Sequence, residues 1–288
     1  MIVVTGVTGG LGSAVVKHLL QHMPPHEIRG VARNPHDAEK FSGQGVEVRR
    51  GDFDRPETLD GAFVGAERLL LVSSSGIDYE ERFRRHRNAI DAVARARVRH
   101  VYYTSLTLGS ESTAFVMKAH LATEAYLRAS GLAYTILKNG AYVEAWKTYL
   151  GDLSDDEICI PNDGPINWVA RDELAEGTAR LLVAGGHVGD ALPLTGPAAP
   201  TIAATAELIS RRLGRPIGRR VVSREEFVTR RVATGEPKLQ AERWASTYDG
   251  LARGEFSTVD PLLESLLGRP RKTFEQAWNA ESVSDRHS

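Results

Sequence analysis

A glycine-rich segment near the first residue is the feature that most constrains the fold. Residues 5–12 read Thr-Gly-Val-Thr-Gly-Gly-Leu-Gly, which spaces Gly6, Gly9 and Gly12 as G-x-x-G-x-x-G. A β-branched run precedes this segment, and a stretch with helical spacing of apolar residues, 11–21, follows it. A strand, a glycine-rich turn and a helix in this order are typical of a dinucleotide-binding unit, in which backbone N–H groups bind phosphate.

Strand-like and helix-like segments alternate over the first half of the chain. The strand-like runs are 2–5, 28–31, 46–49, 68–72, 100–104 and 133–137. Helical spacing appears at 11–21, 79–97 and 118–130. Strands that alternate with helices in this way indicate βαβ units. We therefore predict an α/β fold with a Rossmann-like, doubly wound parallel sheet.

After about residue 140 the alternation becomes irregular. One more strand is predicted at 190–194, and helices at 201–213, 224–234 and 239–253. We predict a nucleotide-binding domain over 1–140 and a smaller, helix-rich substrate cap over 141–280 that is partly interwoven with it. The polar residues 281–288 are expected to form a disordered tail.

Composition excludes several classes of protein. The chain has 36 Lys and Arg residues against 37 Asp and Glu residues, whereas a dedicated nucleic-acid binder has a basic excess. Its one cysteine, Cys159, allows neither an intramolecular disulfide nor a cysteine-based zinc site. No apolar run approaches the ~20 residues that cross a bilayer. We expect a cytoplasmic protein without a nucleic-acid or membrane partner.

Residues at the ends of the predicted strands indicate the cofactor. Sites for NAD place an acid after the second strand, but this chain reads Val-Ala-Arg-Asn-Pro there, and Arg33 could bind a 2′-phosphate. The alternative is a solvated surface arginine. Asp52 and Phe53 follow the third strand and are placed to contact adenine, although Phe53 could equally be core. Ser73 and Ser74 follow the fourth strand, at the sheet edge where ligands bind.

Five segments carry a resemblance to a known family. They are 4–12, 31–34, 45–52, 120–124 and 134–142. On these segments the chain resembles atypical short-chain dehydrogenases/reductases of the NmrA-like group, among them triphenylmethane reductases and NADPH-dependent quinone oxidoreductases. The resemblance implies an NADP(H) cofactor and a binding turn at 139–142. The full set predicted to bind NADP(H) is Gly6, Thr8, Gly9, Gly10, Leu11, Gly12, Arg33, Asp52, Phe53, Ser73, Ser74, Asn139 and Gly140.

The tyrosine acid of ordinary short-chain reductases is missing. Those enzymes use Tyr-x-x-x-Lys on a helix, and that spacing occurs here only at Tyr134 and Lys138, in a predicted strand. Four strand residues span about 13 Å, so this pair cannot touch. By resemblance, His120 stands where several relatives carry lysine, and Ser105 could donate to a substrate oxygen. The alternatives are a structural histidine and a strand-end cap.

A missing acid restricts the chemistry. A simple ketone gives a strongly basic alkoxide, whereas a quinone gives a stabilised phenolate. We predict NADPH-dependent reduction of a bulky aromatic quinone or ketone, possibly a polyketide, with the proton taken from substrate or water. Tyr142 and Trp146 are predicted to stack on this substrate. The alternative is a non-catalytic regulator of the NmrA-like group that senses NADP(H).

Three further groups of residues are predicted to have structural roles and no role in binding or catalysis. The arginines of 82–87 are predicted to mark a solvated helix face. His18 and His22 have helical spacing but lack a third ligand, so we predict no metal site. Arg171 begins the segment Arg-Asp-Glu, which is predicted to start a helix.

Overall fold

The computed structural model describes residues 1–76, 78–151, 153 and 156–284, with side chains up to residue 280. Within these ranges the strands are β1 (Ile2–Thr5), β2 (Ile28–Ala32), β3 (Glu47–Arg50), β4 (Arg68–Leu71), β5 (His100–Leu106), β6 (Tyr134–Asn139), β7 (Ala141–Tyr142), β8 (Glu157–Ile160), β9 (Trp168–Val169), β10 (Ala191–Leu194) and β11 (Gly218–Val221). The α-helices are α1 (Gly10–Leu19), α2 (Glu39–Ser42), α3 (Leu59–Phe63), α4 (Tyr79–Arg95), α5 (Phe115–Ala129), α6 (Trp146–Leu150), α7 (Arg171–Ala184), α8 (Ile202–Leu213), α9 (Arg224–Ala233), α10 (Lys238–Ala252), α11 (Leu262–Leu267) and α12 (Phe274–Ser284).

Seven of these strands form one parallel sheet. Their order is β10-β6-β5-β4-β1-β2-β3, and every neighbouring pair is parallel. The order reverses direction between β1 and β4, which is the switch point where doubly wound sheets bind ligands. The predicted α/β class and doubly wound sheet are confirmed.

Helices cover both faces of the sheet, and β1 shows why its first three residues are apolar. Val3 packs in the cluster that includes Phe63 and Ile90, whereas Val4 packs in the cluster that includes Val16 and Leu174. Successive side chains of a strand point to opposite faces, so a strand covered on both sides needs apolar residues at every position.

Elements from the second half of the chain complete the sheet and one of its helical layers. β10 pairs with β6 in parallel register, Ala191 opposite Ile136, and α7 packs beside α1. A third apolar cluster, rich in aromatic residues, lies among α6, α8, α9, α10 and α12 and is separate from the two sheet clusters. The domain boundary at residue 140 stays a prediction.

Two features of the later chain differ from simple expectation. β7 and β9 are only two residues long, and no periodicity can reveal strands so short. Helix α12 reaches Ser284, so the first four residues of the segment predicted to be disordered are helical, and 285–288 lie outside the described residues. Among the described helices, none is both long and apolar enough to cross a bilayer.

Candidate functional site

A cavity of about 280 Å³ opens at the carboxyl edge of the sheet, over β1, β2, β3 and β4. Its lining residues are Thr5, Gly6, Thr8, Gly9, Val31, Ala32, Arg33, Gly51, Asp52, Phe53, Asp54, Val72, Ser73, Ser74, Ser75 and Arg85. Eight of the residues predicted to bind the cofactor are in this set. The cavity therefore lies at the switch point between β1 and β4, at the sheet edge where ligand binding is predicted.

The glycine-rich turn leaves the first turn of α1 open to an anion. Gly6 has φ +64°, a conformation that favours glycine, and a Cβ on Gly12 would lie 2.4 Å from the Gly6 carbonyl oxygen. Helix α1 begins after Gly9 with no side-chain cap and no acid in its first turn. Its first N–H groups therefore fit a phosphate, which satisfies donors that the helix itself cannot.

The side chains around this turn fit the adenosine half of a phosphorylated dinucleotide. Arg33 is exposed at the cavity and forms no ion pair with any carboxylate in the described ranges. Phe53 is half-buried at the rim, and Asn88 donates to its carbonyl oxygen at 2.8 Å. The Asp52 carboxylate accepts from the Asp54 N–H at 3.0 Å, which holds this turn.

The basic cluster on α4 is not uniformly a solvated face, and this prediction was wrong for two of its arginines. Arg85 lines the cavity and is held by Asp54 at 2.8 Å and by Glu81. Arg82 is partly buried, and its Nε donates to the Ser74 carbonyl oxygen at 3.1 Å. Only Arg84 and Arg87 are exposed. Arg82 lies four residues before the buried His86, so helical spacing could have indicated its face.

Next to the cavity lies a group of buried and partly buried polar side chains, which we call the Ser74 network: Ser74, Arg82, His86, Tyr103, His120 and Thr123. The Ser74 N–H donates to His86 Nε2 at 2.9 Å, and His86 Nδ1 lies 2.8 Å from Thr123 Oγ1. Arg82 donates to His120 Nε2 at 3.0 Å, and His120 Nδ1 lies 2.8 Å from the Tyr103 hydroxyl. The network thus ties the loop after β4 to both α4 and α5.

These contacts determine where the histidine protons lie. A guanidinium and a backbone N–H only donate, so both Nε2 atoms accept and each neutral ring carries its proton on Nδ1. Burial, with the charges of Arg82 and Arg85, lowers the pKa of His86 from 6.5 to about 3. Burial, followed by the charge of Arg82, holds the pKa of His120 well below 6.5. Both histidines are therefore neutral near pH 7.

Ser105 belongs to a second buried polar group. It donates to Glu124 Oε1 at 2.5 Å, and the same oxygen lies 2.6 Å from Lys138 Nζ. Arg128 contacts the other carboxylate oxygen of Glu124 at 3.1 Å. Lys138 and Tyr134 both lie on β6, as predicted, so this lysine serves Glu124 and not a tyrosine.

The remaining predicted site residues lie outside the cavity lining. Asn139 is buried, donates weakly to the Tyr142 hydroxyl at 3.4 Å, and has no partner for its Oδ1 atom. Gly140 is required for packing, since a Cβ there would lie 2.5 Å from Asn167 Oδ1. Trp146 is 7% exposed and packs edge-on against Trp278 at 5.6 Å. The roles predicted for Asn139, Gly140, Tyr142 and Trp146 stay predictions, as do those of Ser105 and His120.

Of the remaining predicted cofactor residues, Leu11 is 5% exposed on α1, and Gly10, its first residue, is exposed. Sequence reasoning missed the inward arginines and the Ser74 network. It also missed the position of Arg171, which begins α7 as predicted but lies over Gly10. No local pattern signals a contact between residues 161 positions apart.

Comparison with known proteins agrees with this geometry. The model of the NAD(P)H-binding family matches residues 6–182. An NmrA-like family domain-containing oxidoreductase of Aspergillus flavus is 35% identical over 275 residues, covering 92% of this chain and 90% of the relative. Quinone oxidoreductase 2 of Escherichia coli is 32% identical over 286 residues, covering 99% of this chain and 98% of the relative.

The fold is also similar to that of a protein solved with NADP(H) bound. Triphenylmethane reductase of Citrobacter sp., complexed with NADP(H), superimposes with a TM-score of 0.88 at 33% identity, covering 97% of this chain and 100% of that one. The prediction of a nicotinamide dinucleotide cofactor is confirmed by the family match. The chain belongs to the NAD(P)H-binding family, among its NmrA-like oxidoreductases.

Proposed function

We propose that this oxidoreductase uses NADPH to reduce a flat, conjugated aromatic compound, with a quinone as the first candidate. The bound cofactor supplies a hydride. The observation that carries the proposal is that the candidate acids near the sheet edge are already committed to protein partners. His120 accepts from Arg82, and Ser105 donates to Glu124.

Because both candidate acids are engaged, the source of the proton limits which substrates the site can reduce. Reduction of an isolated ketone needs an acid at the carbonyl oxygen, and general acid catalysis is typically worth about 10²–10⁴-fold. A quinone takes hydride to give a resonance-stabilised phenolate, which water can protonate afterwards. An aromatic ketone beside a phenol supplies its own proton. A site whose candidate acids His120 and Ser105 are engaged by protein partners therefore favours conjugated substrates.

The names of similar proteins support the same class of substrate. A quinone oxidoreductase and a triphenylmethane reductase are among them, and NAD(P)H azoreductase of Xenophilus azovorans is 25% identical over 287 residues. Quinones, triarylmethane dyes and azo dyes are all extended conjugated acceptors. A flat pocket wall from Tyr142 and Trp146 would suit them.

Arg33 is the residue that we assign to cofactor choice. It lies at the cavity without a carboxylate partner among the described residues, so its charge is available to a 2′-phosphate. Gly6, Thr8 and Gly9 would hold the diphosphate, Asp52 and Phe53 the adenine, and Ser73 and Ser74 the nicotinamide half.

The test is oxidation of NADPH and of NADH against simple quinones, hydroxylated aromatic ketones, a triarylmethane dye and an aliphatic ketone. We expect turnover of the conjugated compounds alone, with NADPH preferred. Arg33→Ala should raise KM for NADPH about 10- to 100-fold and leave that for NADH unchanged. Arg211→Ala, in the exposed last turn of α8, is the matched control.

Two results would contradict the proposal. Turnover of the aliphatic ketone would show that an acid operates in the site. Tight binding of NADPH without any turnover would instead favour the sensing regulator.

A further inference from the structure

Arg171 occupies an unexpected position beside the glycine-rich turn. An ideal Cβ on Gly10 would lie 2.6 Å from Arg171 Nη1 and 3.1 Å from its Cζ. Gly10 is the first residue of α1 and is exposed. The guanidinium therefore takes the space that any other residue at position 10 would fill, directly beside the first N–H groups of α1.

The fold explains how a residue so distant in sequence comes to this point. Helix α7 packs along α1 and precedes β10, which is parallel to the rest of the sheet. A helix that returns the chain to a parallel strand begins at the carboxyl edge of the sheet. Both helices therefore begin at the edge that contains the cavity, and Arg171 is the first residue of α7.

The position of this guanidinium is well defined. It lies 5.6 Å from the centre of the Tyr142 ring, a cation–π contact. Both oxygens of Glu144 accept from the Arg171 backbone N–H, at 3.0 and 3.2 Å, and so fix the start of α7. Stacking and capping together hold the head group without using its own N–H donors.

The Arg171 guanidinium has no ion-pair partner among the described carboxylates. The acids that follow it are engaged elsewhere, Asp172 with His18 at 2.9 Å and Glu173 with Arg269. Across the described ranges, no carboxylate forms an ion pair with the Arg171 guanidinium. A partly buried arginine without a counter-ion, beside an uncapped helix N-terminus, presents its donors to an anion.

We propose that Arg171 binds the diphosphate of the dinucleotide, as a second cation with a different task from Arg33. Arg33 recognises the 2′-phosphate and so selects NADPH over NADH, whereas Arg171 contacts the part that both share. Since Arg171 stacks on Tyr142, the same contact links the diphosphate to the 139–142 turn. The inference rests on the dinucleotide cofactor and not on the identity of the substrate.

The test compares a variant that keeps the positive charge at position 171 with variants that remove the charge at positions 171, 33 and 211. Calorimetric titration with NADPH, and competition by NADH, would be measured for Arg171→Lys, Arg171→Gln, Arg33→Gln and the control Arg211→Gln. We expect Arg171→Gln to weaken both dinucleotides by the same factor, about 10- to 100-fold, and Arg171→Lys to recover much of the loss. Arg33→Gln should weaken NADPH alone.

Salt dependence provides a readout that a packing role would not change. Loss of one cation–phosphate contact should make the Kd for NADPH less sensitive to ionic strength in Arg171→Gln than in the wild type. Three results would overturn the inference: affinities within twofold of the wild type, equal losses in Arg171→Gln and Arg171→Lys, or an unchanged salt dependence. None of them requires turnover, so failure of the proposed substrate class would leave this test intact.

Discussion

The Nε2 atom of His120 accepts a hydrogen bond from Arg82 Nη2 at 3.0 Å, and this contact determines what the histidine can do. Its other nitrogen contacts Tyr103, and the ring is 4% exposed. A ring with both nitrogens engaged, and with a pKa well below 6.5, is neutral and has no free donor near pH 7. It can still orient Arg82, and through Arg82 the Ser74 carbonyl.

We therefore expect the two amide replacements of His120 to differ. Gln places an acceptor near the position of Nε2 and keeps the Arg82 contact, whereas Asn reaches only the position of Nδ1. His120→Gln should retain kcat within about threefold, and His120→Asn should lose more, mainly through a higher KM for NADPH. Equal losses of about 10²–10⁴-fold in kcat for both variants would instead identify His120 as a general acid.

The pH dependence of kcat/KM provides a second check on the same residue. Because His120 stays neutral, it should cause no inflection in the wild-type profile between about pH 6 and 9. The His120→Gln profile should therefore have the same shape as that of the wild type. An inflection present in the wild type and absent from the variant would contradict this expectation.

Acid should destabilise the protein through His86. Its pKa is about 3 in the folded chain and 6.5 when unperturbed, so below pH 6.5 the unfolded state binds a proton that the folded state does not. Stability is fully present above pH 6.5 and falls as the pH drops towards 3, by at most about 1.4 kcal/mol per pH unit. Urea unfolding at several pH values should give a steeper acid loss for the wild type than for His86→Gln. Parallel curves would be evidence against this.

Breaking the buried ion pair of Glu124 should cost more than breaking an exposed one. Lys138→Met leaves a carboxylate that is 2% exposed without its nearest cation, so we expect a loss of about 3–5 kcal/mol in the free energy of unfolding. Arg230→Met, which breaks an exposed pair with Glu226, should cost at most about 1 kcal/mol. The double variant Glu124→Gln/Lys138→Met should be more stable than Lys138→Met alone. If it is less stable, the two side chains are not coupled as the structure indicates.

Trp146 and Trp278 allow substrate contact to be separated from packing. The two rings touch, but only Trp146 is predicted to contact the substrate. Trp146→Leu should raise KM for an aromatic substrate much more than KM for NADPH, whereas Trp278→Leu should lower the melting temperature and leave that ratio unchanged. Equal changes in both KM values for Trp146→Leu would count against a substrate role.

The first half of the fold could be predicted because local patterns there agree with the tertiary arrangement. Apolar residues occupy consecutive positions at 2–4 and 69–72, and β1 and β4 lie where both sheet faces are covered. The turn at 5–12 can also be predicted from local sequence, because the backbone passes so close to Gly6 that only glycine fits at position 12. In each case the constraint lies within a few consecutive residues.

Other features depend on contacts between distant segments. The inward faces of Arg82 and Arg85 follow from what α4 packs against, and charge alone suggested the opposite orientation. The pairing of Lys138 with Glu124 joins β6 to α5, and the place of β10 beside β6 joins residues more than fifty positions apart.

The sequence by itself determined the α/β class, the glycine-rich turn between β1 and α1 and the absence of a helical tyrosine–lysine pair, because each depends on residues that are close together in the chain. Only the tertiary structure decided that His120 and Ser105 are bound to protein partners, and that Arg171 lies over Gly10. Side-chain charge and hydrogen-bonding capacity are local properties, but the partner that satisfies them is chosen by packing. Whether a polar group is free for chemistry therefore cannot be known until the chain is folded.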